Sequence, residues 1–170
     1  GEVVASSVTT LDVHDISRVC RTFGVGSFFV VTPLKTQQEL VERLVGHWLE
    51  GHGAEYNPTR KEALLKTRVT KSLDAAVAEV TKQCGKKPQV VVTGAKQVPN
   101  SIGYEDLKKK LHAEDPTLLV FGTGWGLEKN LIQSADYVLE PIEGNNGFNH
   151  LPVRGAIAII LDRLLGRGGS

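Results

Sequence analysis

The chain contains no methionine and only two cysteines, Cys20 and Cys84, in 170 residues. Lying far apart and outside any paired ligand spacing, the cysteines exclude a disulfide framework or a zinc site and read as reduced, packed thiols. Long apolar runs are missing too. Nothing approaches the roughly 18 consecutive apolar residues of a membrane span, and the amino end lacks the basic, apolar and cleavage regions of a signal peptide. A cytoplasmic location away from membranes is expected. Nor is there a surplus of one charge: 20 Lys and Arg against 19 Asp and Glu leave a net charge of +1. That excludes a uniformly basic nucleic-acid surface and leaves only local patches. Position 1 is not methionine and the chain ends Gly168-Gly169-Ser170, so a natural polypeptide that extends further is expected. What is present, 41% apolar residues, suffices for one domain with its own core over residues 1–166, followed by a flexible tail over 167–170.

Apolar runs bounded by turn signals alternate with stretches of helical period. That pattern predicts an α/β domain, a mainly parallel sheet flanked by helices. Strands are expected over 3–9, 27–32, 65–70, 89–93, 118–122 and 137–140, and helices over 12–23, 36–50, 72–83, 104–112, 127–134 and 153–165. Asp12 and Ser72 are expected N-caps, and Gly24, Gly85 and Gly166 fall where helices end. Glycine and proline concentrate in three loops, 93–103, 122–126 and 141–152. In an open α/β sheet the loops leaving the carboxyl ends of strands form the ligand crevice, so these three point to one site.

The most informative stretch is Thr117-Leu118-Leu119-Val120-Phe121-Gly122-Thr123-Gly124-Trp125-Gly126-Leu127. An apolar strand breaks into alternating glycines, whose lack of a Cβ lets main-chain groups approach a ligand. Its spacing is not that of a dinucleotide fingerprint, and no G-x-x-x-x-G-K-[ST] phosphate loop occurs. His150 stands in a loop where a polar ring has no packing role, but no carboxylate or cysteine joins it as a metal ligand. On the first helix Val13, Ile16, Cys20 and Phe23 share one side and His14, Arg18 and Arg21 another. Two arginines three apart can clamp a phosphate or ribose; the alternative is a solvated face paired with Asp15. Tyr56-Asn57-Pro58-Thr59-Arg60-Lys61-Glu62 gathers positive charge around an aromatic, which suits an RNA backbone or equally an ordinary surface loop. The last helix carries the apolar stripe Ile157, Ile160, Leu161 and Leu164, to be buried in the domain or across a dimer interface.

Taken in order, Asp15-Ile16-Ser17-Arg18-Val19-Cys20-Arg21-Thr22-Phe23-Gly24-Val25, then the glycine loop, Leu139-Glu140-Pro141-Ile142 and Asn149-His150-Leu151-Pro152-Val153-Arg154-Gly155-Ala156 resemble the successive motifs of the SPOUT RNA methyltransferases. The similarity is greatest to a small bacterial branch of S-adenosylmethionine-dependent RNA methyltransferases and runs through most of the chain. The resemblance implies a carboxyl-terminal trefoil knot, S-adenosylmethionine as cofactor without a metal, and a homodimer built through the last helix. It implies methyl transfer to a ribose 2′-oxygen or a base nitrogen of structured RNA, tRNA or rRNA. By the same resemblance Thr93, Gly94, Ala95, Phe121, Gly122, Gly124, Gly126, Leu139, Pro141, Ile142, Asn149, His150 and Leu151 would hold the cofactor. Arg21 would position the acceptor, with His150 and Arg154 beside the methionine end. Arg18, Arg21, Arg60 and Lys61 would meet RNA. The chain departs from the pattern at His150, where ribose-methylating relatives often have asparagine, and at Pro152, where a small hydroxylated residue is common. Relatives also carry another strand before a segment like Gly1-Glu2-Val3-Val4. Two competitors are a catalytically silent RNA-binding module with this fold and an unrelated nucleotide-binding α/β enzyme.

Overall fold

The first helix, α1 (Thr10–Thr22), turns the apolar side formed by Val13 and Ile16 inward. A computed structural model gives the structure of this chain for residues 10–51, 55, 57–113, 115–122 and 129–168. Because α1 starts before Asp12, that residue is not the expected N-cap; it lies in the first turn, where a carboxylate favours the positive end of the helix dipole. After α1 come β1 (Phe28–Val31), α2 (Lys35–Glu50), α3 (Pro58–Leu64), β2 (Thr67–Thr70), α4 (Leu73–Cys84) and β3 (Gln89–Val92). The chain continues through α5 (Tyr104–Leu111), β4 (Thr117–Val120), α6 (Lys129–Ser134), β5 (Tyr137–Val138) and α7 (Val153–Leu165).

The α/β alternation holds, and every strand pairing among the described residues is parallel. The described strands pair in the orders β1-β2 and β4-β3-β5. In the second, Val92 of the central strand faces Val120 on one side and Val138 on the other. All three strands therefore end at the same edge. The expected strand over 3–9 and the glycines Gly124 and Gly126 lie outside the described residues.

Helix α3 was not anticipated, because its residues read as a charged loop. Its start is nonetheless written locally: Asn57 accepts a hydrogen bond from the Arg60 amide, and Pro58 occupies the first turn. At α4, Ser72 caps as expected, accepting from the Ala75 amide, and Gly85 ends the helix at φ +73°, where a side chain would be strained.

The stripe on α7 is buried within the chain. Ile160 and Leu164 pack with Val91, Ile102, Leu107 and Leu139, while Ile157 and Leu161 pack with Ile16 of α1. Of the two expected explanations, internal burial therefore accounts for this face. A third cluster joins Val13, Val30, Val41 and Leu64. Cys20 is a packed thiol as expected, its pKa pushed up to about 11 by burial, but Cys84 at the end of α4 is exposed.

Candidate active site

Three strand ends supply the site's frame. The Thr93 amide and hydroxyl both donate to the Val120 carbonyl at 3.0 Å, fastening the loop after β3 to the end of β4. On the other side Leu139 donates to the Val92 carbonyl at 2.9 Å, and Ile102 donates to Val138 at 2.7 Å. The loop that leaves β3 thus returns beside β5, where Ile102 bridges Leu139. Glu140 completes this corner, its carboxylate accepting from the Tyr104 amide at the start of α5.

A fourth segment joins from the far side. Asn149 reaches Ala95 and donates to its carbonyl at 2.8 Å. Thr93, Gly94, Ala95, Phe121, Gly122, Leu139, Pro141, Ile142 and Asn149 are therefore gathered at one end of the β4-β3-β5 group. Leu139 and Pro141 are buried beneath, Phe121 and Ile142 pack against the core, and Gly94 and Ala95 are open to solvent. His150 and Leu151 follow on the exposed rim, with the His150 ring edge-on to Phe148 at 5.3 Å. No atom of the described residues lies within 4 Å of where a Cβ on Gly94 would stand.

Arg154 sits in the first turn of α7, directly after this rim. Its guanidinium meets Asp12 at 3.3 Å and Asp15 at 3.7 Å, tying α7 to α1. These two aspartates were not expected as its partners; their spacing of three on one helix face was the available signal. Arg18, one turn beyond Asp15, is exposed and has no carboxylate against it among the described residues, whereas Arg21, a further turn away, pairs with Glu62 of α3. The expected pairing of this face with Asp15 is therefore absent for both.

Beside α1, Arg60 stacks on the Trp48 ring at 4.8 Å and His14 meets the same ring edge-on at 5.5 Å. Burial, aided by the Arg60 charge, holds the His14 pKa below its usual 6.5. Lys61 is half-buried on α3. Trp48 was missed because its position on the apolar side of α2 reads as core, and it does pack there, with Leu44 and Val45 beside the Val41 cluster. Tyr56 lies outside the described residues.

The sequence from residue 1 to residue 166 matches the family described as SAM-dependent RNA methyltransferase. The chain belongs to that family. S-adenosylmethionine is accordingly its cofactor and RNA methyl transfer its class of reaction. Two relatives are named tRNA (guanine-N(1)-)-methyltransferase. The protein of Nitratidesulfovibrio vulgaris is 43% identical over 95% of this chain, and that of Oleidesulfovibrio alaskensis is 40% identical over 96%. The chain spans only 38% of the length of each. Among solved structures, the TrmH/SpoU tRNA modifying enzyme of Aquifex aeolicus superposes with a TM-score of 0.58 at 18% identity, over 94% of this chain and 70% of that one. The parallel α/β fold of this family member is therefore shared with the SpoU-type methylases.

Proposed function

We propose that the chain holds S-adenosylmethionine over the ends of β3, β4 and β5 and methylates a ribose 2′-oxygen of tRNA presented across α1. The observation that carries this reading is the fastening of four loops to one another, from Val120 through Thr93 and Ala95 to Asn149 and from Val92 to Leu139. Main-chain groups of Gly94, Gly122 and Ile142 are without intramolecular hydrogen bonds among the described residues, and the apolar Phe121, Leu139 and Ile142 flank them. This donor set fits a nucleoside, whose ring needs apolar faces and polar edges.

When bound, S-adenosylmethionine would supply an electrophilic methyl group to the acceptor oxygen, with S-adenosylhomocysteine as the leaving group and the acceptor proton passing to solvent. The chain's part is in-line placement. Asp12 and Asp15 are engaged by Arg154, so neither is poised to take a proton from a base nitrogen. Arg18, cationic and without a carboxylate partner among the described residues, suits the backbone and ribose of the acceptor and favours a developing oxyanion. The tRNA assignment follows the names of the two bacterial relatives. The same reading includes a carboxyl-terminal trefoil knot and a homodimer. With the α7 stripe buried internally, exposed Phe148 and Leu151 before α7 and Leu165 at its end are among the apolar residues available for the dimer contact.

Calorimetric titration with S-adenosylmethionine and S-adenosylhomocysteine is the first test, with binding of both expected. Mass spectrometry of tRNA nucleosides after incubation should then find 2′-O-methylated products. A base-methylated nucleoside would transfer the acceptor to a ring nitrogen, and RNA retention without transfer would leave a silent binding module. Sedimentation and a crystallographic chain trace test the dimer and the knot, which a monomer or an unthreaded terminus would remove.

A further inference from the structure

The loop after β5 holds Glu140 between Leu139 and Pro141, two residues of the proposed cofactor cradle. Leu139 is buried in the core, so alternation along an extended chain sends the Glu140 side chain to the opposite side. Pro141 keeps the residue before it in the extended region, which fixes that direction. Two hydrogen bonds then fasten Glu140 to one short stretch of chain. Its amide donates to the Ile102 carbonyl at 3.0 Å, and its carboxylate accepts from the Tyr104 amide at 3.3 Å. Gly103, between these partners, lets the carboxylate lie close: a Cβ there would stand 3.7 Å from both of its oxygens.

This attachment replaces a cap that α5 lacks. The residue before the helix is Gly103, which has no side chain to offer, while Glu105 and Asp106 of the first turn pair with Lys108 and Lys109. A serine at position 103 would serve locally, as Ser72 serves α4. Instead a carboxylate 36 residues further along the chain meets the first helical amide, where the helix dipole also favours it. The helix end it grips is itself fixed. Leu107 is buried with Val91 and Leu139, and Arg163 of α7 lies over the Tyr104 ring at 5.0 Å. What this remote cap adds is a tie between two walls of the cradle. The loop after β3 starts with Thr93, Gly94 and Ala95 and ends at the Glu140 contact, and Glu140 leads directly into Pro141 and Ile142. Loss of the carboxylate would leave the main-chain bridge at Ile102 in place, so the corner would loosen without unfolding.

We infer that Glu140 is a positioning residue for S-adenosylmethionine: its carboxylate locks the loop after β3 to the loop after β5 and so sets the spacing of the cradle between them. It acts through the hydrogen bond to Tyr104 and not through its charge on the cofactor. The inference rests on the proposed placement of the cofactor over the ends of β3, β4 and β5.

Four variants of the 170-residue protein separate the hydrogen bond from the charge and from stability. Glu140→Ala removes the acceptor, whereas Glu140→Gln keeps an oxygen for the Tyr104 amide and loses the charge. Gly103→Val leaves Glu140 in the chain but adds methyl groups where its carboxylate lies; Gly103→Ala adds only a Cβ at ordinary contact distance. Affinity for S-adenosylhomocysteine by calorimetry, hydrogen exchange at the Tyr104 amide and the thermal midpoint without ligand are read together. Glu140→Ala and Gly103→Val should each speed exchange at Tyr104 and weaken binding by about tenfold, less than the roughly hundredfold cost of a full 1 Å misplacement, with the other two variants within about threefold of the parent. A lower midpoint with unchanged affinity would make the contact a helix cap alone. Equal weakening in Glu140→Gln and Glu140→Ala would make the charge a direct contact of the cofactor. Either result overturns the inference. Should Glu140→Ala not fold, Gly103→Val against Gly103→Ala makes the same comparison. A parent protein that does not bind S-adenosylhomocysteine would remove the cradle and this inference with it, whereas binding by the parent that neither Glu140→Ala nor Gly103→Val weakens removes the inference alone.

Discussion

Gly94, Arg18 and Arg21 are where single side chains separate the possible roles of the site. Gly94 has open space where a Cβ would stand, so Gly94→Val should leave stability within about 0.5 kcal/mol while weakening S-adenosylmethionine binding by about tenfold or more through intrusion into the cradle. Calorimetry and thermal melting on the same variant check both halves. Unchanged affinity would turn this loop away from the cofactor. The family resemblance favoured Arg21 as the acceptor-positioning residue, but its guanidinium is held by Glu62, while Arg18 lies nearer the Asp15–Arg154 pair and has no carboxylate of its own among the described residues. Arg18→Ala is therefore expected to lower turnover about a hundredfold, the order expected from lost positioning, with cofactor affinity preserved; Arg21→Ala should change turnover only a few-fold. Methyl-transfer kinetics with saturating cofactor would expose the reverse ranking. His14 gives a pH signature. Its folded pKa lies below 6.5 because burial and Arg60 disfavour the cation. As pH falls below 6.5 the unfolded chain takes up a proton that the folded chain resists, so stability drops until the folded pKa is passed. Urea midpoints across that range should show this loss in the parent and a flatter profile in His14→Gln; parallel profiles would assign the slope to other groups.

The elements themselves were largely legible because their signals are local. Ser72 and Gly85 bracket α4 by capping chemistry that needs no tertiary contact, and the apolar run at β3 meets the requirement of a strand covered on both faces. Ser72→Ala should accordingly cost about 1 kcal/mol, measured by urea unfolding, and Ser72→Asp should recover it. A loss within experimental error would mean that packing alone fixes that terminus. Helix α3 escaped because its Asn57-Pro58 start is followed by charged residues, with Ala63 and Leu64 as its buried contribution. Too short to display a periodic apolar stripe, it is recognised by the surface of α1 and α2 against which it packs. The clamp of Arg154 on Asp12 and Asp15 escaped for a related reason: its partners are distant in sequence and meet only when α7 lies beside α1.

At the scale of the molecule, parallel pairing and the gathering of late loops followed from the alternation of strand and helix, while the order of the described strands within their groups, β1-β2 and β4-β3-β5, had no counterpart in composition. Charge is the remaining global property, and it bears on how RNA is held. A chain with a net charge of +1 cannot rely on a broad positive field, and its local cations are further reduced by internal engagement. Arg21 is paired with Glu62, Arg154 with two aspartates, and Arg60 covers Trp48. On α1 and α3 this leaves Arg18 and Lys61 with neither a carboxylate nor an aromatic partner among the described residues. Since each neutralised phosphate contributes roughly 0.7–0.9 to the slope of log affinity against log salt, binding of the proposed tRNA substrate should show a slope of about −2 per chain. Filter binding or fluorescence anisotropy across 50–200 mM salt, roughly the range in which counterion release dominates, measures it directly. Glu62→Gln, by releasing Arg21, should steepen the slope by about one phosphate. A parent slope several times steeper would instead require a basic surface supplied by polypeptide beyond this domain, and Glu62→Gln would then leave it essentially unchanged.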